Sequence, residues 1–352
     1  MSATSPVVPA GGATMRVSVL NGVGTLTVEE RPVPAPEPHQ VLVRIASVGV
    51  CGSDVHYYEH GRIGRFVVEQ PLVLGHEASG VVEAVGSEVS RLTVGQRVSL
   101  EPGVPDLACE QCLAGRYNLC TDMRFHATPP IDGSFAELVT IHELFAHPLP
   151  DSVSDDAGAL LEPLSVAIWA CQKAGVTAGS RVLVTGAGPV GLLVVQVARA
   201  VGATDVVVSD VNASRLALAV ELGATAALDV GQTSLTEAGL QPDVLIECSG
   251  NSRALVEALE LMAPAGHVVL VGMGSGDAPL PLSLVQEREL VVTGTFRYAH
   301  TWPTAIALAA SGRVELDRLV TGHFGLDDVE RALTASRTDE TTIKPIVHPG
   351  RR

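Results

Sequence analysis

The chain has few basic residues for its size. Of its 352 residues, 23 are Lys or Arg and 39 are Asp or Glu, which gives a formal net charge of −16 at pH 7. Nucleic-acid binding requires a basic surface, so this charge argues against a nucleic-acid partner. Lysine stands at only two positions, Lys173 and Lys344.

The sequence also lacks a segment suited to crossing a membrane. The uncharged apolar run 182–198 has 17 residues and contains three glycines and a proline, whereas a spanning helix needs about 20 apolar residues. Residues 1–14 carry neither the positive charge nor the apolar stretch of a secretory signal, and we expect them to form a disordered leader. The expectation is a cytoplasmic protein with no membrane partner.

Cysteine is sparse and clustered. The six cysteines are Cys51, Cys109, Cys112, Cys120, Cys171 and Cys248. Disulfides are not expected without a secretory signal, and clustered cysteines in an intracellular enzyme more often bind metal. A hydrophobic content of 46% allows a sizeable core, and the length allows two domains.

The texture of the sequence changes near Pro150. Before it, short apolar runs between Gly and Pro predict strands, and a proline-rich stretch predicts an extended surface connection. The predicted strands cover 15–20, 41–45 and 79–85, and the predicted surface connection covers 31–38. After it, apolar runs at 181–185, 205–210, 244–248, 267–271 and 290–294 alternate with helical stretches at 189–201 and 213–222. Such alternation predicts βαβ units around a parallel sheet, followed by a helix at 303–311 and a short tail.

Gly186, Gly188 and Gly191 form a G-x-G-x-x-G spacing between a predicted strand and a predicted helix. In that context the glycines permit a tight turn and close approach of a pyrophosphate to the helix N-terminus. Asp210 ends the next strand and can accept hydrogen bonds from the ribose hydroxyls of NAD. Arg215 could instead bind the 2′-phosphate of NADP, and a glycine-rich turn without nucleotide is the other alternative.

A possible metal site consists of Cys51, His76 and Glu77. Each of these residues lies close to a glycine, and all three belong to the short segment 51–77. Zn²⁺ accepts all three ligand types, and three protein ligands leave a fourth position open. The alternative is a small buried cysteine and a hydrogen-bonded core histidine. Beside a nicotinamide cofactor, zinc can act as a Lewis acid on an alcohol whose carbinol hydride passes to the nicotinamide.

With these motifs the chain, from about residue 15 to 347, resembles the zinc-dependent medium-chain dehydrogenases, and among them the sorbitol (L-iditol 2-) dehydrogenase family. The resemblance rests on the segments 51–64, 75–80, 115–119, 127–130, 161–166 and 295–298. It implies an α/β fold in which a Rossmann domain, a doubly wound parallel sheet over 161–297, is inserted into a strand-rich GroES-like catalytic domain formed by 15–160 plus 298–352. The active site is expected in the cleft between them.

The resemblance implies NAD-dependent oxidation of a secondary alcohol of a sugar alcohol (sorbitol, xylitol or L-iditol) to a ketose. Related zinc dehydrogenases acting on arabinitol, galactitol, threonine or butanediol are one alternative, and a nucleotide-binding structural or regulatory protein without activity is another. The resemblance also implies a homotetramer, with dimers as the other common outcome.

It further implies roles for individual residues. Cys51, His76 and Glu77 match the ligands of the catalytic zinc, and Glu162 lies at the metal directly or through its water, so the direct carboxylate ligand stays open. Asp54 matches the carboxylate that orients the ligand histidine. Ser53 and His56 match the positions that pass the alcohol proton outward. The expected substrate contacts are Tyr57, Phe125, Thr128, Glu162, Arg297 and Tyr298. The expected cofactor contacts are Gly186, Gly188, Val190, Gly191, Asp210, Arg215, Val271, Gly272, Met273, Phe296, Arg297 and Tyr298.

Cys109, Cys112 and Cys120 match three of the four ligands of the structural zinc lobe that many medium-chain dehydrogenases carry. Asp106 stands at the first position, where its carboxylate can ligate zinc, although closed structural sites usually hold four thiolates. We expect a structural zinc on Asp106, Cys109, Cys112 and Cys120, with reduced cysteines on a loop as the alternative.

Overall fold

A computed structural model of the chain describes residues 12–274 and 277–351. The chain forms two compact units. The first unit comprises the chain up to Glu162 together with the segment from Leu316 onward, and the second comprises Pro163–Glu315. The predicted leader lies outside the described residues over 1–11, and the first strand already begins at Thr14.

The second unit therefore extends beyond residue 297, where the sequence placed its end. A hydrogen bond gives the physical reason, because the backbone N–H of Glu315 donates to Oε1 of the buried Gln196 at 2.7 Å. Nearby, the rings of Tyr298 and Trp302 lie 5.4 Å apart, and both side chains are buried. The segment 298–315 thus packs with the second unit.

Strands predominate in the N-terminal part of the first unit. The strands are β1 (Thr14–Gly22), β2 (Thr25–Pro32), β3 (Gln40–Gly49), β4 (Arg62–Ile63), β5 (Phe66–Val67), β6 (Leu72–Val73), β7 (Glu77–Val85), β8 (Arg97–Leu100), β9 (Gly103–Val104), β10 (Arg124–Phe125), β11 (Leu138–His142) and β12 (Ala146–Pro148). The helices are α1 (Gly52–His60), α2 (Glu110–Leu113), α3 (Asp155–Ala159) and the beginning of α4 (Leu161–Lys173). The predicted strands at 15–20, 41–45 and 79–85 are thereby confirmed.

The proline-rich connection begins as the end of an edge strand. In the three-stranded sheet of order β2-β1-β6, β2 lies at the edge and ends at Pro32. An edge strand tolerates proline because the missing N–H would face away from the sheet.

The C-terminal segment completes the main sheet of the first unit. It contains β19 (Val320–Gly325), α10 (Val329–Thr338) and β20 (Lys344–His348). The sheet has the order β12-β8-β7-β3-β20-β19, and β11 also pairs with β3. Because β20 pairs antiparallel with β3, the last strand of the chain lies beside one of the first. Buried apolar side chains of β3 contribute to the core of this unit, among them Val41, Val43 and Ile45.

The second unit is a doubly wound sheet. Its elements are β13 (Arg181–Thr185), α5 (Pro189–Ala200), β14 (Asp205–Asp210), α6 (Ala213–Glu221), β15 (Ala226–Asp229), β16 (Val244–Glu247), α7 (Ser252–Leu261), β17 (His267–Leu270), α8 (Leu282–Glu287), β18 (Val291–Gly294) and α9 (Trp302–Ala310). The strand order is β15-β14-β13-β16-β17-β18, and all neighbours are parallel. The order reverses between β13 and β16, which is where such folds bind ligands at the carboxyl ends of their strands.

The α/β fold class is confirmed. Within the described residues, no helix combines the length and the apolar character that a membrane crossing requires.

Candidate active site

The predicted metal ligands of the first unit come together. Cys51 directly precedes α1, and His76 and Glu77 lie at the start of β7. One ligand atom from each of Cys51, His76 and Glu77 lies within 4.8 Å of the others. Pairing of Gly49 with Glu77 brings β3 against β7 at this point, and a Cβ at Gly49 would lie 2.1 Å from Oε2 of Glu77. A side chain at Gly49 would therefore displace the carboxylate of Glu77 from its place on β3.

Asp54 ties the ligand-bearing segments together. Its Oδ2 accepts a hydrogen bond from the N–H of Cys51 at 3.0 Å, and its Oδ1 accepts one from the N–H of Gly75 at 2.9 Å. The same Oδ1 lies 3.5 Å from Nδ1 of His76. A carboxylate at Nδ1 fixes the orientation of the imidazole and leaves Nε2 for a metal, which is the support that metal-binding histidines commonly have. This geometry agrees with the role expected for Asp54.

The carboxylate of Glu77 already has a buried partner that sequence reasoning missed. Nζ of Lys344 donates to both carboxylate oxygens of Glu77 at 2.8 Å and to the carbonyl oxygen of Val50 at 2.9 Å. The side chains of Lys344 and Glu77 are only 3% and 1% exposed. A full ion pair with a satisfied ammonium group explains how both charges stay buried.

The electrostatics of this region favour positive charge. Burial alone would lower the pKa of His76, but Asp54 and Cys51 raise it well above the ordinary value. Burial likewise opposes the charge of Lys344, whereas Glu77, Cys51 and Glu162 raise its pKa. A site built from a thiol, an imidazole and carboxylates that favours cations fits a zinc ion. Glu162, near the start of α4, is only 5% exposed. Its charge also raises the pKa of Lys344, so Glu162 interacts electrostatically with the Lys344–Glu77 pair.

The predicted proton-transfer residues lie on α1. Ser53 and His56 are both partly buried, one helical turn apart. The rings of His56 and His60 are 4.8 Å apart. Burial and the neighbouring His60 lower the pKa of His56. A neutral imidazole at this position can accept a proton.

The predicted substrate residues of the first unit lie at different depths. Tyr57 of α1 is 4% exposed and Phe125 of β10 is 7% exposed. The ring of Phe125 lies 5.8 Å from the ring of His76, so Phe125 packs beside a predicted metal ligand. Thr128 is partly buried in a turn, where its N–H donates to the carbonyl of Phe125 at 3.1 Å.

A second predicted ligand set also comes together in the first unit. One ligand atom from each of Asp106, Cys109, Cys112 and Cys120 lies within 4.8 Å of the others. The sulfur atoms of Cys109 and Cys112 are 3.5 Å apart. Two sulfurs bound to one tetrahedral zinc lie roughly 3.8 Å apart, given a zinc–sulfur bond of about 2.3 Å.

The carboxylate of Asp106 is held by its own loop. Its Oδ1 accepts hydrogen bonds from the N–H groups of Cys109 at 3.0 Å and Ala108 at 2.9 Å. These bonds, with contributions from the thiols of Cys112 and Cys120, lower the pKa of Asp106 to about 2. An ionised carboxylate held among three thiols fits a zinc ion.

The glycine motif of the second unit has the expected geometry. Gly186 follows β13 with a φ of +89°, and a Cβ there would lie 2.9 Å from the backbone of Ser249. A Cβ at Gly191 would lie 1.9 Å from the carbonyl oxygen of Gly186. At Gly188, which begins α5, a Cβ would meet no described heavy atom within 4 Å. The helix N-terminus is thus open at the position where a pyrophosphate would approach.

Asp210 lies at the end of β14, next to that loop. Its Oδ2 accepts a hydrogen bond from the N–H of Ala187 at 2.6 Å, and its Oδ1 accepts from Val211 and Asn212 at 2.8 and 2.9 Å. Arg215 lies in the first turn of α6, where its N–H donates to Oδ1 of Asn212 at 3.0 Å. Val190 is partly buried in the first turn of α5.

The remaining predicted cofactor residues follow β17 and β18. Val271 and Gly272 donate their N–H groups to the carbonyl of Glu247 at 2.8 and 2.9 Å, and a Cβ at Gly272 would lie 2.2 Å from the nitrogen of Gly250. Met273 is 56% exposed.

After β18 the predicted contacts differ in exposure. Phe296 is 46% exposed and Tyr298 is 3% exposed. The guanidinium of Arg297 lies 4.8 Å from the ring centre of Phe296, and its backbone has a φ of +57°. Arg297 and Tyr298 belong to the second unit, and their part in a substrate site stays a prediction.

Comparison with known proteins defines the class. Residues 37–151 match the family model described as the alcohol dehydrogenase GroES-like domain, and residues 189–311 match the one described as zinc-binding dehydrogenase. Two solved structures cover 96% of this chain and 100% of their own with a TM-score of 0.90. One is a putative zinc-binding dehydrogenase from Sinorhizobium meliloti 1021 bound to NADP, 32% identical. The other, from Escherichia coli CFT073, is described as a short chain alcohol dehydrogenase complexed with NADH, 30% identical. The fold is that of a zinc-binding dehydrogenase.

A narrower family follows from the curated relatives. The sorbitol dehydrogenase of Homo sapiens is 47% identical over 328 residues, which are 91% of this chain and 91% of that protein. The chain belongs to the sorbitol dehydrogenase family of zinc-dependent medium-chain dehydrogenases. It is accordingly an oxidoreductase with zinc and NAD as its cofactors, and the GroES-like and Rossmann parts of the predicted fold are confirmed.

Proposed function

We propose that the chain oxidises a secondary alcohol of a sugar alcohol, such as sorbitol, xylitol or L-iditol, to the ketose with NAD as the hydride acceptor. The observation that carries the proposal is the group of partly buried Cys51 and buried His76 and Glu77, whose ligand atoms lie within 4.8 Å of one another. With a single thiolate and a carboxylate, this set offers a harder ligand environment than a site with two thiolates would. A metal ion in such a ligand environment favours oxygen ligands, so it fits a substrate with many hydroxyl groups.

Zinc, when bound, supplies a Lewis acid for the alcohol oxygen, and NAD accepts the hydride. Residues of the protein orient the ligand histidine, form the apolar wall and carry the proton. Asp54 orients His76, Phe125 forms an apolar wall beside it, and Ser53 with His56 carries the alcohol proton outward. The five donors of Arg297 and the hydroxyl of Tyr298 hold the other hydroxyl groups of the substrate.

We assign Glu77 as the direct carboxylate ligand and Glu162 as the group that acts through the metal-bound water or the substrate hydroxyl. Support comes from Glu77 belonging to the set of ligand atoms within 4.8 Å. Glu162→Ala should lower kcat strongly and leave NAD affinity nearly unchanged. Wild-type turnover in that variant would remove Glu162 from the mechanism.

A substrate panel tests the function directly. NAD-linked rates on sorbitol, xylitol, L-iditol, galactitol, arabinitol, threonine and 2,3-butanediol should favour the first three in kcat/KM. A chelator should abolish those rates, and added Zn²⁺ should restore them. A preference for arabinitol, galactitol, threonine or butanediol would assign the chain to a different substrate. Loss of all turnover with intact NAD binding would instead support a nucleotide-binding protein without this activity.

We further propose a structural zinc on Asp106, Cys109, Cys112 and Cys120. The 3.5 Å sulfur–sulfur distance and the ionised Asp106 support it. Elemental analysis of the purified, washed enzyme should give two zinc ions per chain, and Cys112→Ser should give one while the substrate site keeps its metal. One zinc ion per chain in the wild type would reject the second site.

The assembly and location are proposals as well. We propose a cytoplasmic homotetramer, and the molar mass from light scattering after size-exclusion chromatography tests the assembly. A mass of about twice the 36.5 kDa chain would indicate a dimer instead.

A further inference from the structure

A third group of ligand-type side chains lies in the first unit, apart from both cysteine-containing sets. It consists of Asp156 of α3, His323 of β19 and His348 at the end of β20. One ligand atom from each lies within 4.8 Å of the others. The three residues come from distant parts of the chain, so the fold alone brings them together.

The imidazole of His348 is oriented by the backbone of β3. Its Nδ1 lies 2.9 Å from the carbonyl oxygen of Ala46. A carbonyl oxygen only accepts, so the neutral ring carries its proton on Nδ1, and Nε2 presents a lone pair. Nε2 lies 3.6 Å from Oδ1 of Asp156. A histidine whose far nitrogen donates to a backbone carbonyl is the arrangement that metal-binding histidines commonly have.

The carboxylate of Asp156 is oriented in the same way. The hydroxyl of Ser47, a fully buried residue, donates to Oδ1 of Asp156 at 2.6 Å. The other oxygen, Oδ2, lies 2.8 Å from Nε2 of His323. One carboxylate thus has an imidazole nitrogen near each oxygen. The rings of the two histidines lie 5.0 Å apart.

The three side chains of the group differ in their exposure to solvent. The side chains of His323, His348 and Asp156 are 46%, 27% and 18% exposed. An ion can therefore enter past His323, while Asp156 and His348 are held from beneath by β3. Two imidazoles and one carboxylate are ligands for zinc and related divalent transition metals, and a fourth position stays open to water.

We propose that Asp156, His323 and His348 bind a divalent transition-metal ion of the zinc class. The ion takes the place of the proton that joins His323 to Asp156. It connects α3 to β19 and β20, and so cross-links the C-terminal strands to the N-terminal part of the same unit. Because this site has only nitrogen and oxygen ligands and is partly exposed, it should bind more weakly than either cysteine-containing set.

The test uses the purified holoenzyme with its resident metal retained. Equilibrium dialysis against Zn²⁺ should show one ion per chain beyond the resident content, and the thermal midpoint should rise as the ion binds. His323→Asn and His348→Asn should each weaken the binding of this ion at least tenfold and remove the rise. His39→Asn is the matched control, because His39 is an exposed histidine with the carboxylates of Glu88 at 2.9 Å and Glu143 at 3.9 Å, and it belongs to none of the three ligand sets found in the described residues. This control should bind the extra ion as the wild type does.

A spectroscopic measurement separates this site from the cysteine sets. Added Co²⁺ should give a wild-type minus His323→Asn difference spectrum without thiolate charge-transfer absorption. NAD-linked turnover should be unchanged in His323→Asn, which shows that the variant is folded. An extra ion bound equally by wild type and both variants, or no extra ion in the wild type, would overturn the proposal and leave a hydrogen-bonded His–Asp pair.

Discussion

Replacing Lys344 with methionine tests the buried ion pair that supports the metal site. Nζ of Lys344 lies 2.8 Å from both oxygens of Glu77, and both side chains are almost fully buried. At 2.8 Å and an effective dielectric constant of about 20, the attraction between two unit charges is about 6 kcal/mol. Removing one partner of a buried pair costs about 3–5 kcal/mol, because the other charge stays buried without compensation.

The expected loss for Lys344→Met in zinc-stripped enzyme is therefore about 3–5 kcal/mol of unfolding free energy. For a unit of this size that lowers the thermal midpoint by on the order of 10 °C. Methionine preserves most of the side-chain volume, so loss of packing adds little. In zinc-loaded enzyme the loss should be smaller, because the positive charge of the metal compensates Glu77.

A double-mutant cycle isolates the pair from other effects. Circular dichroism should follow the thermal unfolding of wild type, Lys344→Met, Glu77→Gln and the double variant. The double variant should be more stable than the sum of the two single losses predicts, by at least about 1 kcal/mol, because neither charge is then left alone. Lys173→Met is the control, since Lys173 is the chain's other lysine and is exposed in the last turn of α4.

Two results would refute the reasoning. A midpoint for Lys344→Met within 2 °C of wild type, as roughly expected for a surface lysine, would mean that Glu77 does not depend on this partner. Strict additivity of the two single losses would mean that the two side chains do not interact across the 2.8 Å contact.

Three further predictions concern the metal site, the cofactor site and a buried cysteine. Asp54→Asn should weaken zinc binding roughly 10–100-fold in a chelator competition, because His76 loses its orienting carboxylate, and unchanged affinity would remove that role. Asp210→Ser should move the NAD-to-NADP ratio of kcat/KM toward NADP at least about tenfold, since a carboxylate repels a 2′-phosphate, and an unchanged ratio would count against Asp210 as the ribose contact. Burial raises the pKa of Cys171 from 9.0 to about 12. The unfolded thiol ionises first, so this stabilisation is full below pH 9 and declines by about 1.4 kcal/mol per pH unit as the pH rises toward 12. Urea unfolding of Cys171→Ala should show a flatter alkaline limb than the wild type.

Local sequence patterns were sufficient for five of the six described strands of the doubly wound sheet, and the edge strand β15 was missed. The strands at 181–185 and 205–210 are confirmed to the residue, because uninterrupted apolar runs bounded by Gly and polar residues are typical of buried parallel strands. The glycine spacing identified the loop before α5 for a reason that the structure makes explicit. A Cβ at Gly191 would lie 1.9 Å from the carbonyl oxygen of Gly186, so no other residue fits.

Long-range contacts were beyond the reach of such patterns. Lys344 was visible in the sequence only as a rare lysine before an apolar tail, and nothing local shows that it meets Glu77, 267 residues earlier. The extension of the compact second unit to Glu315 also depends on a long-range contact. The hydrogen bond between Glu315 and Gln196 joins residues 119 apart, and no local periodicity records it.

Strand β20 carries both Lys344, which pairs with Glu77, and His348, which lies beside Asp156. It pairs antiparallel with β3 in a register that sets Ile346 opposite Gly49 and Val347 opposite Val48. Continued in both directions, that register sets Lys344 opposite Cys51 and His348 opposite Ser47. Side chains four residues apart on a strand share a face, so one strand delivers an ammonium group to Glu77 and an imidazole to Asp156.

A slip of one residue would turn both side chains to the opposite face. The apolar Ile346 and Val347, both fully buried, oppose such a slip. An ion bound at Asp156, His323 and His348 would oppose it further. The proposed ion would therefore stabilise, through the register of β20, the same lysine that pairs with Glu77 in the proposed catalytic metal site.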